Sequence, residues 1–216
     1  MSPENGPRAV RYALLSSGAN FSCEVMQGLI DRDFRPDLVV LPEYPPAARS
    51  AEPDLEIVAA TPRRRLLALA GKIDIAYAPA ARQRQCARLI RQSAIEFLLV
   101  ACWPYLIDAA IIESAEKAAL NLHPSLLPRF RGPDPVAQQL AAGEANFGVT
   151  LHQLNQRFDG GDIIAQAALR SPGLRPRRDI VEGHCARLGV ELFIDAIGRY
   201  PDWKPISQSY QSGATD

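Results

Sequence analysis

The chain lacks several of the features that would assign it quickly. It has no apolar run near the roughly 20 residues that a membrane-crossing helix needs, no C-x-x-C pair, no G-x-G-x-x-G and no P-loop. A nucleotide cofactor is therefore not indicated by motif, and no membrane association is expected. Its four cysteines, Cys23, Cys86, Cys102 and Cys185, are too scattered for a zinc knuckle or a disulfide framework. They read as buried thiols in a reducing compartment. The three histidines, His123, His152 and His184, show no metal-ligand spacing, so no metal is expected. Net charge is also missing, because 24 Lys and Arg balance 24 Asp and Glu. That balance argues against a domain dedicated to wrapping nucleic acid. The basic clusters Arg63-Arg64-Arg65, Arg82 to Arg91 and Arg175-Pro176-Arg177-Arg178 read as solvated faces or loops. The polar segment Met1 to Arg8 has no apolar core of the kind a secretory signal carries, which places the protein in the cytoplasm.

What is present is the material of one large domain: 216 residues, 47% hydrophobic and 22% charged, enough to bury a substantial core. Short apolar runs alternate with helix-like segments. Strands are expected at Ala9 to Leu15, Pro36 to Leu41, Ile73 to Tyr77, Ile95 to Cys102, Ala118 to His123, Phe147 to Leu154 and Asp162 to Leu169. Helices are expected from the turn at Ser16 to Asn20 through Asp31, and over Arg63 to Ala70, Gln83 to Ser93, Ile107 to Lys117, Asp134 to Ala142 and Arg178 to Arg199. Asp134 reads first as the N-cap of its helix and alternatively as a partner for a cationic amine, and Gly143 is the natural stop. Pro42 to Pro62, rich in Pro and Ala, reads as loop, and the polar tail from Pro201 as a frayed end. Residues 1–200 thus form one domain, followed by a short polar tail at 201–216. The alternation predicts an α/β fold with a mainly parallel central sheet and helices on both faces. Ligands in such folds bind beyond the carboxyl ends of strands, here Ala101-Cys102 and Asn121 to His123.

The informative stretch is Asn121-Leu122-His123-Pro124-Ser125-Leu126-Leu127-Pro128, continuing Arg129-Phe130-Arg131-Gly132. Residues two apart on a strand share a face, so Asn121 and His123 project together and Leu122 packs behind them. Two polar side chains at the mouth of a buried strand cost free energy unless partnered. Pro124 and Pro128 stiffen the loop beyond. Further along, Asp159 precedes Gly160-Gly161, glycines that allow a positive-φ turn or a close backbone approach. If Asp159 reaches His123, it orients that imidazole and raises its basicity. His123 then donates a proton or hydrogen bond to an oxygen that becomes negative, and the Asn121 amide stabilises the same oxygen. Such a set suits attack of an amine on a carbonyl carbon with no covalent enzyme intermediate. A Ser125 nucleophile is the competing reading, although it lacks the strand–elbow–helix setting.

At these residues the sequence resembles the folate-dependent formyltransferase family, which includes the catalytic domain of methionyl-tRNA formyltransferase and glycinamide ribonucleotide formyltransferase. The shared pattern is N-x-H-x-S-L-L-P followed by D-x-G or D-G-G, matched by NLHPSLLPRFRG and FDGGD in the same order and at similar separation. The similarity covers roughly residues 9 to 170. LLPRFRG and SGANFSCEV are nearest to the branches acting on methionyl-tRNA and on sugar amines. The resemblance implies a Rossmann-like formyltransferase fold, 10-formyltetrahydrofolate as formyl donor, and Asn121, His123 and Asp159 as the catalytic set. It further implies that Trp103, Pro104, Tyr105, Leu106 and Ile107 line the folate site, with Leu154, Asn155 and Phe158 in the loop closing over it. No tRNA-contacting C-terminal module follows Arg199 in this sequence, which favours a small-molecule amine such as an amino sugar or amino acid derivative. The alternatives are a formyltetrahydrofolate hydrolase and a non-catalytic folate-binding protein. The oligomeric state is not legible.

Overall fold

A computed structural model of the chain describes residues 10–43, 62–71, 73–79, 83–171, 173 and 175–208. Seven strands and six helices are present among them. In chain order these are β1 (Tyr12–Ser16), α1 (Asn20–Asp31), β2 (Leu38–Glu43), α2 (Pro62–Ala70), β3 (Asp74–Pro79), α3 (Gln83–Gln92) and β4 (Phe97–Ala101). The second half contains α4 (Ala109–Ile112), β5 (Ala118–His123), α5 (Pro135–Ala141), β6 (Asn146–Gln153), β7 (Ile163–Arg170) and α6 (Arg178–Gly198).

The strands form one sheet of order β3-β2-β1-β4-β5-β6-β7. The four pairings from β3 to β5 are parallel, and β5–β6 and β6–β7 are antiparallel. The strands β1 and β4 are buried along their whole length, as expected where helices cover both faces. One face is closed by a cluster that takes Phe21, Val25, Met26 and Leu29 from α1 and Val181, Cys185, Val190 and Phe193 from α6. Their three- and four-residue spacing is that of an apolar helical stripe. The other face is closed by Cys86, Ala87 and Ile90 of α3 and Ile111 of α4 packed on Leu15, Val40 and Leu98. Among the described residues no helix is long and apolar enough to cross a membrane.

The expected α/β architecture, mainly parallel with helices on both faces, is what the chain adopts. The Pro- and Ala-rich loop expected at 42–62 falls largely outside the described residues, and Pro42 itself belongs to β2. The helix expected over Ile107 to Lys117 shrinks to α4, four residues capped by the Asp108 carboxylate accepting from the Ala110 N–H at 2.8 Å. It stops because the chain turns back into the sheet: Lys117 N–H donates to the Glu96 carbonyl and Glu116 N–H to that of Ile95. Asp134 is not the cap that its position suggests. It adopts a left-handed conformation with φ of 54° and makes no side-chain cap bond. Its carboxylate instead accepts from Arg178, at 2.9 Å. The expected frayed end also differs over its described part, since Ile206 exchanges two backbone hydrogen bonds of 2.8 Å with Ile163.

Candidate functional site

The site forms where the sheet changes direction. On β5, Asn121 lies beside Val100 of β4 and opposite His152 of β6, while His123 lies opposite Thr150. Cross-strand partners sit on the same face, so the register alone gathers Asn121, His123, Thr150 and His152. Between Leu151 and His152 the β6–β7 ladder is irregular, with Ile164 left out of the pairing. Such a bulge re-aims the neighbouring side chain. Leu122 faces away into the core, and burying a side chain of that size contributes about 2 kcal/mol.

Asp159 arrives from the turn after β6. Its Oδ1 is the focus of the site: Asn121 Nδ2 donates to it at 3.2 Å, His123 Nδ1 lies 3.4 Å away and His152 Nε2 3.7 Å away. Its Oδ2 accepts the backbone N–H of Gly132 at 2.8 Å. The expected union of Asn121, His123 and Asp159 is therefore present in the geometry. The two glycines act differently from the expectation. Asp159 itself takes the positive φ, 48°, which Asp tolerates better than most residues. Gly161 serves the close approach, since a Cβ there would stand 1.7 Å from the Gln153 carbonyl oxygen.

Hydrogen-bond partners fix the tautomers. His123 Nε2 is 2.7 Å from the Phe130 carbonyl oxygen, which can only accept, so Nε2 carries the proton. The lone pair of neutral His123 is then on Nδ1, towards Asp159. Likewise His152 Nδ1 donates to the Gln153 carbonyl at 2.8 Å, leaving Nε2 to accept from Asn121 Nδ2 at 3.0 Å. Asn121 is thereby oriented with its NH₂ towards both acceptors. Burial pulls His123 below the ordinary histidine value, against the opposing pull of the Asp159 charge and the Phe130 carbonyl. Burial pushes the Asp159 carboxyl the other way, upward, but the His152 contact, the His123 charge and the Gly132 N–H outweigh it. Asp159 ends below its ordinary value. A neutral base beside an ionised carboxylate is a proton-accepting pair.

The loop after β5 is held rigidly. Ser125 Oγ donates to the Arg129 carbonyl at 2.8 Å, and Ser125 N–H to the His123 carbonyl at 2.8 Å. Gln139 Nε2 donates to the carbonyls of Pro124 and Pro135, and Thr150 Oγ1 to that of Ser125. The Ser125 hydroxyl thus braces the loop, and both nitrogens of His123 point elsewhere, which removes the serine-nucleophile reading. Thiol nucleophiles fare no better, because burial pushes Cys86 up to about 11 and Cys102 and Cys185 up to about 12.

The second group of expected residues flanks this centre. Trp103 and Leu154 both pack against the cluster that contains Ile107, on one face of the sheet. Tyr105 meets Trp103 edge to face, the ring centroids 6.4 Å apart. Pro104, Leu106 and Phe158 stand exposed, Phe158 by 60%. Asn155 Oδ1 accepts the Arg157 N–H at 3.0 Å, so this side chain shapes the turn. The indole Nε1 of Trp103 is shielded from solvent and has no hydrogen-bond partner among the described residues.

Sequence reasoning weighed His152 only as a metal ligand and missed it as a partner of Asn121. Polar Thr150 and His152, two apart at the end of a strand that is otherwise apolar from Phe147 to Leu151, were the available signal. It also missed Gln208, described below, for which the sequence carries no cue. His184 lies apart on α6, bonded through Nδ1 to the Ile180 carbonyl. Among the described residues no group of three His, Cys, Asp or Glu side chains is placed to hold a metal ion.

Comparison with known proteins bears on the family and the fold. Residues 47–172 match the family model described as formyl transferase. A methionyl-tRNA formyltransferase of Chloroflexus aggregans is 32% identical over 139 residues, which cover 64% of this chain and 45% of that protein. Its Thermus thermophilus counterpart is 37% identical over 120 residues, 55% of this chain and 39% of that protein. The chain thus spans less than half the length of these curated relatives. Among solved structures, glycinamide ribonucleotide transformylase 1 from Symbiobacterium toebii superposes with a TM-score of 0.64 at 21% identity, over 97% of this chain and all of that one. A formyltetrahydrofolate deformylase from Pseudomonas syringae pv. tomato gives 0.67 at 16% identity, over 94% of this chain and 67% of that one. The solved structures share the fold, and the family match spans more than half of the sequence and includes the whole Asn121–Asp159 constellation: this chain belongs to the formyl transferase family.

Proposed function

We propose that the protein transfers a formyl group from 10-formyltetrahydrofolate to the amine of a small molecule, such as an amino sugar or amino acid derivative. The observation that carries this reading is the convergence of Asn121 Nδ2 and His123 Nδ1 on one oxygen of Asp159, at 3.2 and 3.4 Å. Asn121 presents an N–H where a carbonyl oxygen gains negative charge, one of its present contacts yielding to that oxygen. The Nδ1 lone pair of His123 receives the proton that the amine loses on forming its bond to the formyl carbon. The same proton then returns to the folate nitrogen as the old carbon–nitrogen bond breaks. Asp159 stabilises the imidazolium between these two steps.

Two features support a folate as donor. An unpartnered buried donor costs about 1–3 kcal/mol, and Trp103 Nε1 is such a donor, able to meet an acceptor on a flat heterocycle. The exposed Leu106 and Phe158 supply apolar surface for its rings. For the acceptor, the supporting feature is an acidic corner two residues past Gly132. Asp134 and the buried Glu182 both accept from Arg178, and Glu182 also accepts from Asn20 Nδ2 at 2.7 Å. Carboxylates there favour a compact cation over a polyanion.

The test is to supply 10-formyltetrahydrofolate with a panel of amino sugars and amino acid derivatives, following formylated product and free formate. Product that depends on the amine supports the proposal. Formate released at full rate without amine makes water the acceptor. Tight folate binding without any turnover leaves a binding protein.

A further inference from the structure

The turn that carries Asp159 is gripped by a side chain from far along the sequence. Gln208 Nε2 donates to the Asp159 carbonyl at 2.9 Å and to the Gly161 carbonyl at 2.6 Å. Its Oε1 accepts from Arg131 Nε at 3.2 Å and Nη2 at 2.6 Å. A glutamine amide has two donor hydrogens and two acceptor lone pairs, and all four are used here. The two residues that precede Gln208 are anchored as well. Ile206 is bridged to Ile163, and Ser207 Oγ donates to Asp162 Oδ1 at 3.0 Å.

These contacts close a ring around the reacting centre. Asp159 Oδ2 takes the Gly132 N–H, Arg131 is the preceding residue, its guanidinium grips Gln208, and Gln208 returns to the Asp159 backbone. The loop after β5 and the turn after β6 are thus tied twice, once through the carboxylate and once through Gln208. Asp159 sits in the left-handed region, which an L-residue leaves readily unless its neighbours hold it.

We propose that Ile206–Gln208 is a clamp on this centre, and that Gln208 is a positioning residue which sets the Asp159 carboxylate against His123 and Asn121. This rests on the reading of Asp159 as part of the reacting centre. Gln208 acts through the backbone of the turn and touches none of the groups that exchange protons. A displacement of the order of 1 Å in such a group lowers a rate by roughly 10²-fold, so loss of the clamp is read in kcat.

The experiment compares the wild-type chain with Gln208→Ala and Gln208→Glu by three readouts. These are exchange of the Gly132 amide proton by NMR, kcat and KM for formyl transfer, and the unfolding midpoint. Gln208→Glu keeps acceptors for Arg131 but removes both donors to the turn. The clamp predicts that in both variants the Gly132 amide exchanges at least about tenfold faster and kcat falls by about 10- to 100-fold, with donor KM and unfolding midpoint unchanged. Wild-type Gly132 exchange in both variants overturns it. So does a loss of rate that merely follows a fall in the unfolding midpoint. If the wild-type chain transfers no formyl group, the functional reading fails, and the Gly132 amide still decides whether the clamp exists.

Discussion

His123 donates from Nε2 to the Phe130 carbonyl at 2.7 Å, and this one bond decides what the histidine offers its surroundings. With the proton fixed on that side, the free lone pair lies on Nδ1, 3.4 Å from Asp159 Oδ1. Phe130 holds the carbonyl in place through a left-handed backbone, φ 56°. The loop is braced by Ser125 and Gln139, so the tautomer is a property of the fold rather than of the ligand.

The first expected outcome concerns pH. Because burial holds His123 below the ordinary 6.5, the imidazole stays neutral on the acid side of neutrality. The acid limb of kcat against pH should therefore have its midpoint below 6.5. His123→Ala should lose about 10²- to 10⁴-fold in kcat and flatten that limb. A limb that survives unchanged in His123→Ala would assign it to another group.

Asp159→Asn separates charge from shape. The carboxylate is held below its ordinary 3.8, so it stabilises the fold above that value and the contribution fades as pH falls through the depressed value. His123 acts in the same direction, since the unfolded chain takes up its proton near 6.5 and the folded chain resists it. Stability should thus decline with acid in two windows, one just below 6.5 and one below 3.8. Denaturation midpoints against pH should show the lower window missing in Asp159→Asn. The variant's kcat should drop by about 10²-fold or more. Equal acid sensitivity of the two chains would contradict the burial of a charged Asp159.

His152→Leu tests the partner that was invisible at the level of motifs. It removes the acceptor of one Asn121 N–H and leaves that N–H in an apolar setting, a loss of about 1–3 kcal/mol in unfolding free energy. With the amide free to turn, kcat should fall while donor KM stays within about twofold. An unchanged kcat would mean that Asp159 alone orients Asn121.

Gly161→Ala tests the close approach. A Cβ at 1.7 Å from the Gln153 oxygen forces the turn to shift, whereas Gly160→Ala meets its nearest atom, an Arg157 side-chain carbon, at 3.1 Å. Gly161→Ala should destabilise by about 2 kcal/mol or more and lower kcat with it. Gly160→Ala should be the milder change in both urea midpoint and rate.

Much of this was written in local patterns. The strand β4 is an unbroken apolar run and β1 is apolar up to its closing Ser16, and the i, i+2 rule puts Asn121 and His123 on one face of β5. What could not be read is whatever depends on pairing between distant segments. His152 joins the site through antiparallel register with β5 and a bulge, and neither is encoded within β6 alone. Asp134 looked like a helix cap because Asp before Pro usually is one, but an ion pair with Arg178, 44 residues away, claims its carboxylate. Gln208 is unremarkable in a polar tail until the fold returns that tail to Asp159.

The reversal of strand direction at β5 has a consequence for how the protein can vary. Asn121 and His152 face each other because two strands are in register, and slipping either by one residue would turn every side chain over. That half of the centre is as durable as the sheet itself, and it opens only when the sheet opens. The Asp159 half hangs on a turn, one glycine contact and a returning tail. Differences in tempo between related chains, whether a site is quick or sluggish, stable or prone to breathing, are therefore expected to be written in residues 129–134, 157–161 and 206–208, while the strands stay as they are.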